Sequence, residues 1–156
     1  MNSPGKMPLL VGLMVSSLLL CGRALAVLGG DSASVESDRI SMKGEVRAAT
    51  PVAGFEVREI TTPGGTQVRE YLTAGGKVFA LAWRGPTLPD LRQMLGSYYP
   101  RYAAGVKAAV RPGNHRHLKV EEPNLVVESN GRMRAFYGRA WDPALLPPNF
   151  SASEIR

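Results

Sequence analysis

Two histidines two positions apart are the first residues whose types and spacing suggest chemistry. His115 and His117 are the only histidines of the chain, and residues two apart on an extended segment point to the same side, so both imidazoles could reach one metal ion. Two ligands do not make a tight site, and the neighbouring Arg116 and Lys119 repel a cation. We therefore expect a solvated loop here and predict no metal site.

Nucleophilic and acid–base catalysis find no local motif. No serine lies in a Gly-x-Ser-x-Gly turn, and the single cysteine, Cys21, lies in a segment predicted to be removed. The Gly-Gly pairs suit turns and lack the spacing of a phosphate-binding loop. A triad or a carboxylate pair assembled only in three dimensions stays open. The sequence predicts no catalytic or cofactor-binding residue and no cofactor, and it leaves enzyme activity undecided, with a non-catalytic role favoured.

An aromatic and basic cluster marks the end of a predicted helix. Tyr98, Tyr99 and Tyr102 surround Arg101, and side chains of this kind stack on a sugar or a base. Such tyrosines also pack a ring into the core while the hydroxyl stays wet, and we weigh core packing above ligand contact.

Basic residues are concentrated in the second half of the chain. From Arg101 to Arg139 there are eight basic and three acidic residues. Arg132 and Arg134 are predicted to share one side of a strand and to form one basic face with Arg139 and a basic loop over residues 111–119. Such a face attracts a polyanion, although a solvated face that keeps the domain soluble is the favoured alternative. The predicted contact residues for a ligand or partner are Tyr98, Tyr99, Arg101, Tyr102, Arg132, Arg134 and Arg139.

Hydrophobic periodicity predicts the elements that position these residues. Alternation over 54–62 and 67–73 and the continuous apolar run over 78–83 predict a three-stranded meander. Helical spacing over 88–99, after a capping-box-like start at Thr87, predicts a helix that Pro100 stops or kinks before a second piece over 102–110. The segments 125–129 and 133–141 flank Asn130-Gly131 and predict a hairpin, and the tail over 142–156 is expected to be irregular. The predicted fold class is α+β, an antiparallel sheet with the helix packed on one face.

The N-terminus carries an export signal. Lys6 precedes an apolar run from Met7 to Cys21, and Ala24-Leu25-Ala26 has small residues at the two positions that a signal peptidase reads. We predict a cleaved signal peptide over residues 1–26, no transmembrane segment after cleavage, and a protein that is exported and is periplasmic or secreted. Residues 27–53 form a polar leader, for which a short helix over 34–43 and a mobile segment both stay open, and residues 54–156 form a single domain.

Short segments dispersed between Gly54 and Arg156 resemble a family of small exported bacterial proteins catalogued as domain of unknown function 2844. The segments that carry the resemblance are Val68–Tyr71, Gly76–Ala80, Trp83–Pro86, Leu88–Leu91, Leu95–Tyr98, Asn124–Ser129 and Gly138–Trp141. The resemblance implies export in Gram-negative bacteria. It implies no activity, cofactor or site residue.

These observations predict an exported, non-catalytic binding or protein-interaction module. Two alternatives stay open: a small hydrolase or lyase with a site of scattered polar residues, and a peripheral binder of anionic membrane or glycan surfaces. The expected partner is an envelope protein or an anionic surface such as acidic lipid head groups or an acidic glycan. Nucleic acid is a poorer candidate because the chain is predicted to be exported and lacks a binding motif.

Overall fold

The computed structural model of the protein describes residues 28–31, 45–52, 54–109 and 117–156. Its strands are β1 (Glu45–Val52), β2 (Phe55–Thr61), β3 (Gln67–Thr73), β4 (Val78–Gly85), β5 (His117–Glu122), β6 (Leu125–Arg132) and β7 (Ala135–Trp141). They form one antiparallel sheet in the order β1-β2-β3-β4-β7-β6-β5. Two helices, α1 (Leu91–Leu95) and α2 (Tyr99–Ala109), lie between β4 and β5 in the chain. The predicted α+β class, with helix packed on one face of an antiparallel sheet, is confirmed.

The strand order differs from a simple meander followed by a hairpin. The three strands β2, β3 and β4 lie where alternation and the apolar run over 78–83 predict them, and β1 adds a fourth strand to this meander. The chain then crosses to the far edge of the sheet, and β5, β6 and β7 return towards its centre, where β7 pairs with β4. Residues 117–119 of the predicted basic loop are therefore part of β5. Leu118 and Val120 face the helices, and the charged Lys119 and Glu121 that alternate with them conceal this period.

The helical segment begins later than predicted and continues through its proline. Asp90, not Thr87, caps α1, because its Oδ1 accepts from the backbone N–H groups of Arg92 at 2.9 Å and Gln93 at 3.2 Å. A 3₁₀ turn from Gly96 to Tyr98 joins α1 to α2. Pro100 is the second residue of α2, in the first turn, where a missing N–H breaks no helical hydrogen bond.

The hairpin between β6 and β7 turns three residues later than Asn130-Gly131 predicts. Both residues belong to β6, where they pair with Tyr137 and Phe136, and the turn is Met133-Arg134. Arg134 takes the left-handed conformation, with φ of 62°. A Cβ on Gly131 would lie 2.9 Å from Cδ1 of Phe136, so the glycine allows a cross-strand aromatic contact instead of forming a turn.

The sheet separates two apolar cores. The helices and Leu28 cover one face, here called the helix face, which Leu81, Trp83 and Val127 line from the strands. The C-terminal tail, residues 142–156, covers part of the other face, here called the tail face. The tail contains two short 3₁₀ turns, Pro143–Leu145 and Ala152–Glu154, between irregular segments.

Aromatic packing fixes the tail on its face. The ring centroid of Phe150 lies 4.9 Å from those of Phe55 and Phe79, in an edge-on arrangement in both cases. Ile155 is buried beside them, and the hydroxyl of Tyr71 accepts from the Arg156 backbone N–H at 3.0 Å.

The parts of the polar leader that the structure describes belong to the fold. Leu28 is 1% exposed, the N–H of Gly29 donates to the Val78 carbonyl at 2.8 Å, and Val78 donates to the Gly30 carbonyl at 2.9 Å. Strand β1 contributes a full edge to the sheet. The predicted helix over 34–43 and the predicted signal peptide lie outside the described residues. Within those residues, no helix has the length and apolar character that a membrane span requires.

Candidate functional site

The register of the sheet arranges the tail face in three rows that run across the strands. Directly opposed residues of neighbouring antiparallel strands share a face, so consecutive pairs trace one row. The apolar row under the tail is Val57, Tyr71, Ala80, Trp141 and Val126. The next, the charged row, is Glu59, Arg69, Ala82, Arg139, Glu128 and Lys119. The third, the polar row, is Gln67, Arg84, Tyr137, Asn130 and His117.

Ion pairs within the charged row neutralise its arginines. Arg69 Nε donates to Glu59 Oε2 at 2.8 Å. Arg139 approaches Glu128 Oε2 with two guanidinium nitrogens, at 2.8 and 2.7 Å, and donates with a third to the Ala152 carbonyl at 2.7 Å. Opposite charges on facing strands stabilise a sheet, and the bond to Ala152 also anchors the tail. The charged row is therefore an internal network.

Lys119 extends this network at the edge strand. Its ammonium lies 2.8 Å from the carboxylate of Glu121 on the same strand. The hydrogen bond and the negative charge of Glu121 raise the pKa of Lys119.

The polar row lies beyond the tail and lines a concave surface. Arg84 and Tyr137, which face each other across β4 and β7, line a hollow of about 430 Å³. A second hollow of about 270 Å³ beside Gln67 shares Arg84 with the first, and a third of about 190 Å³ beside His117 shares Asn130 and Tyr137 with it. The three hollows follow the polar row, and together we call them the groove.

The groove combines an aromatic surface with unneutralised positive charge. Tyr137 is 53% exposed. Within the described part of the chain, the exposed side chain of Arg84 makes no ion pair or hydrogen bond, and the same holds for Arg132 beside the third hollow. The groove is therefore suited to a ligand that carries acidic groups next to a ring that can stack on Tyr137.

The tyrosines predicted as contact residues pack against the core of the helix face. Tyr102 is buried, and Tyr98 and Tyr99 are partly buried against the same cluster. The ring centroids of Tyr99 and Tyr102 are 6.0 Å apart, and the Arg101 guanidinium lies 5.1 Å from the ring centroid of Tyr98. Burial, followed by the neighbouring Tyr99, raises the pKa of Tyr102. These four residues do come together, in the arrangement expected of core packing.

Tyr98 makes the strongest polar contact of this cluster. Its hydroxyl donates to Oδ2 of Asp142 at 2.6 Å, and Asp142 is 4% exposed. Burial and the hydrogen bond to this carboxylate raise the pKa of Tyr98 to about 12. The other carboxylate oxygen accepts from the Ala144 N–H at 2.8 Å. The contact joins the helical segment to the end of β7.

The arginines predicted as one basic face occupy different positions. Arg132 ends β6, whereas Arg134 lies in the turn, so the prediction that they share one side of a strand is wrong. Arg139 belongs to the charged row and is held by Glu128. Because β7 has seven residues, its two ends lie about 20 Å apart, which separates Arg134 from the Tyr98–Asp142 contact at the opposite end. The seven predicted residues therefore do not form one site.

Sequence reasoning missed the groove because its row is assembled from distant segments. Alternation places Gln67 on the side of Arg69, but nothing local indicates that Arg84 faces Tyr137, since β4 and β7 are 50 residues apart in the chain. The spacing of the two histidines relates His117 only to a metal site with His115, and His115 lies outside the described residues. Among the described residues, no group of three metal-ligating side chains occurs.

Comparison with known proteins supports a single assignment. No curated protein and no solved structure matches the chain. A family model described as "Protein of unknown function (DUF2844)" matches residues 24–155, which is most of the chain and includes every element of the sheet. The chain therefore belongs to the DUF2844 family of proteins of unknown function, as the dispersed sequence segments predicted.

Proposed function

We propose that this protein is a non-catalytic binding module and that its ligand lies in the groove. The observation that carries the proposal is the polar row, in which five consecutive strands each supply one polar side chain to the same concave surface. A rigid sheet holds such side chains in fixed relative positions, which lowers the entropy lost when a ligand binds.

The side chains of the groove favour binding over the alternative of a hydrolase or lyase. The carboxylate of Glu128 is engaged by Arg139. The Ser153 hydroxyl also lines the central hollow, which is the one of about 430 Å³ beside Arg84 and Tyr137. This hydroxyl is hydrogen-bonded to the Ser151 hydroxyl at 2.8 Å and not to a histidine. A general base needs a proton within hydrogen-bond reach, and a nucleophile needs a base. Neither arrangement occurs among the described residues of the groove.

The proposal includes export to the periplasm or beyond. It is supported by the signal-like segment over residues 1–26 and by the family match, which begins at residue 24. Leu28, two residues after the predicted cleavage position, is already part of the core. Fractionation of cells that express the full chain, with the mass of the recovered protein, tests this part: we expect a periplasmic or extracellular product that starts at Val27, and a cytoplasmic product that retains Met1 would contradict it.

Site-specific photo-crosslinking in the native cell tests the groove itself. A photoreactive amino acid replaces Tyr137, and the matched control position is Leu88, which is 47% exposed and outside the groove. We expect an adduct at position 137 that disappears when Arg84→Gln is added, and no such adduct at position 88. An absent adduct, an adduct that survives Arg84→Gln, or equal adducts at both positions would contradict the proposal. Chemical conversion of the captured molecule by the purified protein would favour the enzyme instead.

A further inference from the structure

We propose that the ligand of the groove is a linear oligosaccharide that carries carboxylates, bound across the strands with one sugar ring on Tyr137 and one carboxylate on Arg84. This inference rests on the proposed function, because it assigns a chemical class to the ligand of the same site.

The shape of the groove indicates an elongated ligand. The hollows beside Gln67, Arg84 and His117 adjoin one another, since neighbouring hollows share lining residues. The polar row crosses five strands, so its ends lie about 19 Å apart at the usual spacing between strands. A compact small molecule would fill only the central hollow, whereas a chain of several sugar units follows all three.

The distribution of charge indicates acidic groups at intervals and not a continuous polyanion. Arg84 and Arg132 lie towards different ends of the groove, and within the described residues neither has an acidic partner. Along the polar row, the residues between them are Tyr137 and Asn130, which are neutral, and the exposed Arg156 of the tail adds a further cation beside Arg84. The planar guanidinium of arginine binds a carboxylate through two parallel hydrogen bonds, which gives the acidic group a fixed position.

The fixed carboxylates of the charged row argue against nucleic acid. Glu59 and Glu128 lie one row from the polar row, and each holds an arginine that would otherwise contact a phosphate. Single-stranded nucleic acid needs a continuous cationic track and several stacking platforms, whereas the described residues of the groove supply one exposed aromatic ring. A sugar chain uses both kinds of group, because its hydroxyls donate to carboxylates and accept from amides and guanidinium groups.

The concave surface argues against a membrane plane as the ligand. A lipid head-group layer contacts convex or flat basic surfaces, whereas Arg84 lines hollows on both of its sides. The tip of the β6–β7 hairpin is the part of this end that projects, with Met133 94% exposed between Arg132 and Arg134. Binding of anionic vesicles through this tip is therefore an outcome that the test must separate from binding in the groove.

Titration calorimetry with defined oligomers tests the ligand class. The probes are four-unit oligomers of galacturonic, glucuronic and mannuronic acid, and the comparators are the same oligomers with methyl-esterified carboxylates, which keep the sugar and remove the charge. We expect saturable binding of at least one acidic oligomer and at least tenfold weaker binding of its ester. Equal binding of acid and ester, or no saturable binding of any acidic oligomer, would overturn the inference.

Variants assign the binding to the groove. Arg84→Gln is expected to weaken binding at least tenfold, Arg84→Lys by a smaller factor because lysine keeps the charge but not the two parallel hydrogen bonds, and Tyr137→Ala by several-fold. Arg92→Gln, on the helix with its guanidinium over Tyr99, is the matched control and is expected to change nothing. A thermal melt of each variant excludes unfolding. Unchanged binding by Arg84→Gln would contradict the inference even if the oligomer binds elsewhere.

Two further probes separate the failure of this inference from the failure of the proposed function. A single-stranded oligothymidylate and vesicles with anionic lipid are compared with the acidic oligomer at the same salt concentration. Tighter binding of either one through Arg84 would keep the groove as a binding site and overturn the sugar ligand. If the protein binds vesicles without Arg84 and loses this binding on Met133→Ser, the binding belongs to the hairpin tip. If the crosslink at position 137 is also absent, the proposed function is contradicted as well.

Discussion

Removal of the Tyr98 hydroxyl measures the contact that connects the helical segment to the end of the sheet. Tyr98→Phe keeps the ring against the core of the helix face and deletes the donor to Asp142, 2.6 Å away. Because Asp142 is 4% exposed, water does not readily replace the lost donor. A hydrogen bond to a charged group contributes about 1.5–3 kcal/mol, and the buried acceptor favours the upper part of that range. We expect the free energy of unfolding to fall by about 2–3 kcal/mol.

Urea denaturation at neutral pH measures this loss. Tyr137→Phe is the matched control, because it removes the same atom from a residue that is 53% exposed and should change stability by less than about 0.5 kcal/mol. The m-value should stay constant in both variants, so that the shift in midpoint reports stability. Equal midpoints for Tyr98→Phe and the wild type would refute the reasoning and return Tyr98 to the candidate ligand contacts.

The pH dependence of stability gives a second, independent measure of the same contact. The pKa of Tyr98 is raised from 10.0 to about 12 in the folded protein, so the unfolded chain loses this proton first as pH rises. The stabilisation is therefore complete below pH 10 and is lost between pH 10 and 12. Stability of the wild type should fall more steeply than that of Tyr98→Phe over this interval. Parallel profiles for wild type and Tyr98→Phe would contradict the assigned contact.

Two further substitutions test the packing on each side of the sheet. Phe150→Ala removes the ring that covers the tail face and should lower the free energy of unfolding by about 3–5 kcal/mol. The control is Met133→Ala, at a side chain that is 94% exposed, and its stability should stay within about 0.5 kcal/mol of the wild type. Similar losses of stability for the two variants in urea denaturation would show that the tail is not packed as described. Gly138→Ala introduces a Cβ that overlaps the Trp83 ring and should cost about 1–3 kcal/mol. Gly75→Ala is the control for Gly138→Ala, because the Cβ added at position 75 would lie 3.7 Å from its nearest neighbour. An equal effect of the two substitutions on the melting temperature would contradict the close packing of Trp83.

Local periodicity predicts the elements whose packing is also local. Strands β2 and β3 follow from alternation, and β4 follows from its continuous apolar run, because both faces of this central strand are buried. Asn130-Gly131 has the composition of a tight turn, yet the register that pairs Asn130 with Tyr137 extends β6 beyond it. The position of that turn depends on contacts with β7 and β5, which a dipeptide preference does not contain.

The tail face and its groove are non-local in origin. Phe150 and Ile155 are too widely spaced for any period, and the three prolines that precede Phe150 in the tail predict only irregular structure, although both side chains are buried in the second core. The tyrosine cluster was ambiguous for a different reason, because Tyr98 suits a ligand contact as well as a core position. Only the location of Asp142 beside its hydroxyl distinguishes the two.

The order of the three rows explains why one arginine is the most informative position of the groove. The tail covers the apolar row, and beside this row the Arg156 N–H donates to the Tyr71 hydroxyl and the Arg156 main-chain oxygen accepts from Arg69 at 3.0 Å. The next row contains two arginines, and each is held by a glutamate, so a ligand gains little by contacting them. The paired arginines thus lie in the charged row, whereas the unpaired Arg84 lies in the polar row. A surface that served only solubility would not need paired and unpaired cations in separate rows. Because Arg84 is exposed, on a central strand and unpaired among the described residues, its replacement by glutamine should remove anion recognition and leave stability within about 0.5 kcal/mol of the wild type. A stability loss as large as the binding loss would show instead that Arg84 belongs to the structural network of the sheet.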